Sequence, residues 1–85
     1  MPTISVFYGI VILMFVADHN PPHFHARYQG YEASFDFCGN LLDGEMPNKQ
    51  CKLIAAWVEI HQNELRANWE RVRYKKQPRR IEPLR

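Results

Sequence analysis

Residues 18–28, DHNPPHFHARY, bring Asp18, His19, His23, His25 and Arg27 into one short stretch. His23 and His25 lie two residues apart. On a strand, that spacing points both imidazoles the same way. The arrangement suits an acid–base pair on one substrate, or two ligands of one metal ion. His19 would add a third donor, so His19, His23 and His25 form the candidate site for a divalent ion such as zinc; no other cofactor is expected. The Pro21-Pro22 step limits how far the approach can wander. Arg27, on the same face, can bind phosphate. Histidines and an arginine on one face are the equipment of metal-independent RNA cleavage. One imidazole takes the 2′-hydroxyl proton, another protonates the leaving oxygen, and the arginine steadies the phosphorane. The catalytic set is then His23, His25, Arg27, Asp18 and Asp36, the two aspartates orienting the imidazoles. The plain alternative is a solvated strand face, with Arg27 in an ion pair to Glu32 of little energetic consequence.

A hairpin must position these groups. HFHARY and YEASFDF flank Gln29-Gly30, a two-residue turn with glycine supplying positive φ. The turn fixes the register: Tyr28 faces Tyr31, Arg27 Glu32, Ala26 Ala33, His25 Ser34, Phe24 Phe35 and His23 Asp36. Alternation then gives an apolar face (Phe24, Ala26, Tyr28, Ala33, Phe35, Phe37) and a polar one (His23, His25, Arg27, Glu32, Ser34, Asp36). After CGNL, a further strand would add Leu42, Gly44 and Met46 to the apolar face, and Gly39 could seed a bulge.

Upstream, TISVFY and IVILMFVA flank Gly9 and read as strands. The second run is apolar on both alternating sets, so it needs cover on both sides. One helix covers one face, and a homodimer or a small protein partner is expected to cover the other. The run from Ile4 to Ala17 is too short to cross a bilayer and lacks a basic flank. A cytoplasmic location with reduced Cys38 and Cys51 is therefore expected, with no membrane association.

From Pro47 or Asn48 the period becomes helical and continues toward Pro78. Leu53, Ile54, Trp57, Val58, His61, Leu65, Trp69 and Val72 form the stripe, and Asn68 falls within it. Trp57 and Trp69 are most simply core. His61 reads as a satisfied core histidine; the alternative is an approach to His19 or His23, which could occur only at an edge of the sheet.

Charge is divided unevenly. Residues 1–70 carry four basic groups against eight acidic ones, and residues 71–85 carry seven basic groups against Glu82. Arg71, Arg73, Lys75, Lys76, Arg79 and Arg80 could grip the phosphates of RNA or DNA. Equally, they could complement a helix C-terminus and solvate a tail. The expected organisation is one α+β domain over residues 1–78 with a basic extended tail over 79–85. It has an antiparallel sheet of four to five strands and one long C-terminal helix packed on one face.

ISVFYGIVI, DHNPPHFHARY, Trp57-VEI-His61-QN-EL with Trp69, and the closing IEPL resemble the bacterial domain-of-unknown-function family 4160. Asp18, His19, Pro21, Pro22, His23, Phe24, His25, Trp57, His61 and Trp69 match its motif. The resemblance implies a small bacterial protein, often encoded beside another small protein, in a toxin–antitoxin type role. Leu13 departs from the arginine or tyrosine frequent in that family. If that position belongs to the site, this member has altered activity or buries the spot against a partner. The functional expectation is an RNA-acting, endoribonuclease-like or regulatory protein. The alternatives are a non-catalytic protein- or nucleic-acid-binding module using the basic C-terminal region, and a metal-binding protein.

Overall fold

Two tight turns set the first four strands. Tyr8-Gly9 and Gln29-Gly30 both have positive φ at both residues, the type I′ geometry whose twist matches a hairpin. A computed structural model describes residues 3–16 and 19–85. The first turn joins β1 (Thr3–Phe7) to β2 (Ile10–Leu13), and the second joins β3 (His23–Tyr28) to β4 (Tyr31–Asp36). β5 (Leu41–Gly44) completes an antiparallel sheet in the order β1-β2-β3-β4-β5. The β3–β4 register is the one the turn dictates, from Tyr28–Tyr31 to His23–Asp36.

The helical segment differs from expectation. It is two helices, α1 (Asn48–Ile60) and α2 (Gln62–Arg73), broken at His61, where φ is −113° and ψ 32°. No glycine or proline causes the break. The His61 N–H is shared between the Trp57 and Val58 carbonyls. The Gln62 side-chain amide then donates to the Val58 carbonyl and to the Phe37 carbonyl at the end of the β4 turn. The local bond to Val58 joins the bifurcated His61 N–H at the break, the bond to Phe37 ties the break to the sheet end, and α2 takes its own course over the sheet.

Ile54, Trp57 and Val58 of α1 and Leu65, Trp69 and Val72 of α2 meet Ile10, Ile12, Met14, Phe24 and Phe35 in one core. Trp57 lies 5.4 Å from Phe7 and 5.7 Å from Phe24, ring centre to ring centre. Truncating a ring such as Phe24 to alanine would cost about 3–5 kcal/mol.

β5 departs from its expected register. Ser34 pairs with Asp43 and Phe35 with Leu41, so Leu42 is the extra residue of a bulge. Leu42 was expected on the apolar face; both it and Leu41 are more than 40% exposed. Met46 does pack against the core. On the outer face of the sheet, Val6 is exposed and Val11 half-buried, but Leu13 is buried within the single chain. The second face of β2 is therefore partly covered without a partner.

The tail folds back. α2 ends in a Schellman turn: Lys75 takes φ +61°, Lys76 N–H donates to Arg71 O, and Lys75 N–H to Val72 O. Beyond it, Asn68 binds both backbone groups of Arg79, each at 2.8 Å. The Ile81 N–H donates to Ile4 O of β1, and the Trp57 indole donates to Glu82 O. Ile81 enters the core and Leu84 packs against it. Among the described residues, no helix is long and apolar enough to cross a membrane.

Candidate functional site

His23 opens β3 at the end of the sheet, where the proline-stiffened approach delivers it. The Asn20–Pro21 peptide is cis. The His23 Nδ1 donates to the Pro21 carbonyl at 2.6 Å. With the proton fixed there, the neutral ring carries its acceptor lone pair on Nε2. The ring is buried, 5.5 Å from His19, 5.1 Å from His25 and 5.5 Å from Trp69 between centroids. The three histidines thus form a continuous row with His23 in the middle. His19 is exposed and His25 half-buried, with Phe15 at 4.8 Å on the latter. Leu13 of β2 pairs with His25 in register, so it adjoins the row.

The helix meets the row at the sheet end through Trp69. His61 instead packs 5.6 Å from Trp57, and its Nδ1 lies 3.0 Å from Glu64 Oε2. It has the satisfied position of a core histidine.

Asp36 pairs with His23 in register, but its carboxylate serves the turn that follows β4. Oδ1 accepts the N–H groups of Cys38 and Asn40 at 2.9 Å, and Oδ2 accepts the Asn40 side-chain amide at 3.3 Å. Burial raises the carboxyl's pKa. The opposing hydrogen bonds, chiefly from the backbone of Asn40 and Cys38, outweigh it and hold the group below the usual aspartate value. Arg27 Nε lies 3.0 Å from Glu32 Oε1 in an exposed pair, worth about 0–1 kcal/mol. Asp18 lies outside the described residues. Among the described residues, no three His, Cys, Asp or Glu side chains are grouped to hold a metal ion.

The basic residues divide into two settings. Arg71 donates through Nε to Gln77 O, and Arg73 pairs with Glu70 at 3.1 Å. Lys75, Lys76, Arg79 and Arg80 have exposed side chains. Arg71, Arg79 and Arg80 border a groove of about 440 Å³ beside Asn68 and Ile81.

A second groove, of about 490 Å³, runs beside the histidine row and shares Pro21 and Trp69 with it. Pro21, Pro22, Phe37 and Trp69 give it apolar walls, and Arg66 and Arg73 add cations. Sequence reasoning missed Arg66, Phe37, Cys38 and Glu70 here. A signal existed: Arg66, Trp69, Glu70 and Arg73 are spaced to share one helix face.

No curated protein matches the chain, and no solved structure does. The sequence model of one family, described as a domain of unknown function, matches residues 9–70, most of the chain. The histidine row, strands β2 to β5 and Trp69 all fall within that span, and the chain belongs to the DUF4160 family.

Proposed function

We propose that the protein is the RNA-acting component of a toxin–antitoxin type module, cleaving RNA by acid–base catalysis at the histidine row. The observation that carries this reading is the contact of three imidazoles in sequence, the middle one fixed in tautomer by the Pro21 carbonyl. The exposed His19 and half-buried His25 are the rings that reach substrate. Burial of His23 supports a positioning role between them. One of the outer imidazoles removes the proton of a 2′-hydroxyl, whose oxygen attacks the adjacent phosphorus. As that P–O bond forms, the bond to the 5′-oxygen breaks, and the other imidazolium protonates the departing oxygen. The products are a 2′,3′-cyclic phosphate and a 5′-hydroxyl. The exposed Lys75, Lys76, Arg79 and Arg80 hold the strand by its phosphates.

The test is incubation of the purified full chain with end-labelled RNA, alongside induction of the gene in a host. Cleavage with cyclic-phosphate ends, lost in His25→Ala and His19→Ala, supports the proposal. Intact RNA and unimpaired growth would sink it. The tail docked against Asn68 favours one second reading, a non-catalytic nucleic-acid-binding module. Its mark is salt-sensitive RNA affinity that survives the histidine changes and falls in Arg79→Ala and Arg80→Ala.

A further inference from the structure

The groove beside the row is built from three elements: the Asn20–Pro22 approach, the Asp36–Cys38 turn and the exposed face of α2. Its volume of about 490 Å³ lies in the range of small-molecule sites. Pro21 and Pro22 are exposed and offer the flat apolar surface, while Phe37 and Trp69, 9% and 4% exposed, add only ring edges at the floor. The cations lie only on the helix side, Arg66 one turn before Trp69 and Arg73 one turn after it. Glu70 already pairs with Arg73, whereas Arg66 has no ion-pair partner among the described residues. On the opposite side, the ionised Asp36 repels an anion. A ligand that fits all of this has a flat body at the proline wall and a single anionic group at Arg66.

We infer that this groove binds one nucleotide, its base against the Pro21 and Pro22 rings above the edges of Phe37 and Trp69, and its phosphate on Arg66. The inference rests on the RNA reading for its source, an RNA residue next to the cleaved bond, but its chemistry is that of any nucleotide. Base–aromatic and base–proline contact is tolerant of sequence, because every base has an apolar face. The arginine supplies a charge-assisted hydrogen bond to phosphate. The groove would thus hold one nucleotide while the adjoining imidazoles act on its neighbour.

Cys38 lines the groove and is exposed, which gives the site its own reporter. The experiment measures alkylation of Cys38 by iodoacetamide in the full chain, mapped by mass spectrometry, with Cys51 as internal reference. Tryptophan fluorescence is followed in parallel. The probes are adenosine 5′-monophosphate, adenosine, ribose 5-phosphate and a short oligoribonucleotide. The nucleotide is expected to protect Cys38 saturably. Arg66→Ala should weaken that protection about tenfold, the loss of one charge-assisted contact. Arg85→Ala removes the same charge from the exposed terminus and should leave it unchanged. Equal protection by ribose 5-phosphate would show that no base enters and overturn the inference. So would equal protection by adenosine, or equal effects of the two arginine changes. The oligonucleotide arm separates the two proposals. RNA cleaved without Cys38 protection overturns the groove and leaves the histidine reading standing. Nucleotide protection with RNA left intact does the reverse.

Discussion

The ring of His23 lies 5.5 Å from the indole of Trp69, joining the first residue of β3 to the middle of α2 across the end of the sheet. The candidate site and the helix packing are therefore one structure. Trp69→Ala should cost about 3–5 kcal/mol and loosen the row. Trp69→Phe keeps an aromatic face, leaves a smaller cavity and should cost less than the alanine change. Nitrogen-15 spectra of the imidazoles check the point. His23 should retain its Nδ1–H tautomer in the phenylalanine variant, and lose it where the ring is freed from Pro21.

Asp36 predicts an acid limb to stability. Its carboxyl is held below its ordinary value by the amides of the 37–40 turn. A group with a depressed folded pKa contributes stability that is present above its unfolded pKa, near 3.9, and lost as pH falls through the folded value. Melting temperature should therefore drop as the pH is lowered below about 4. Asp36→Asn retains an acceptor oxygen but not the ionisation, so its melting curve should be flatter over that interval. Thermal melts of both proteins at closely spaced pH values make the comparison.

Asn68 and Arg79 exchange two hydrogen bonds, so one buried amide holds the tail to α2. Asn68→Ala removes both and leaves the Arg79 backbone to find water. A loss of roughly 1–3 kcal/mol is expected. The local consequence is easier to see. Trypsin should cut after Arg79 and Arg80 faster in the variant, while cleavage within the sheet changes little. If the tail contributes to RNA affinity, that affinity should fall in the same variant.

The legible parts of the fold were those under local control. Gln29-Gly30 admits one hairpin geometry, and every β3–β4 pair followed from it. The illegible parts were set by distant partners. Nothing between Asn48 and Arg73 announces a break at His61, and the Phe37 carbonyl that Gln62 binds there belongs to another element. The bulge at Leu42 was hidden by two adjacent leucines that fit either register equally. In the site, the pairing of His23 with Asp36 was readable, but the use of the carboxylate was not. The turn amides of Cys38 and Asn40 compete for it, and no strand alternation describes a turn. The groove is hidden in the sequence because Trp69 fits a core stripe, and helical spacing alone does not bring the Pro21-Pro22 approach to its neighbours Arg66 and Arg73.

Gly44 and Gly30 give a matched pair of backbone tests. Both have strongly positive φ, +85° and +86°, so alanine at either pays the left-handed conformational cost of about 1 kcal/mol. At Gly30 an added methyl meets open space. At Gly44 it would meet the Glu32 carbonyl and lie 2.8 Å from Ala33 Cα, rigid backbone of the neighbouring strand. Gly30→Ala should thus lose about 1 kcal/mol. Gly44→Ala should lose clearly more, by prying β5 from β4. Denaturant titrations measure the two losses. Amide exchange at Glu45, whose N–H binds Glu32 O, locates the second. Equal losses would mean that β5 moves aside freely, and that the bulge at Leu42 does not pin the edge of the sheet.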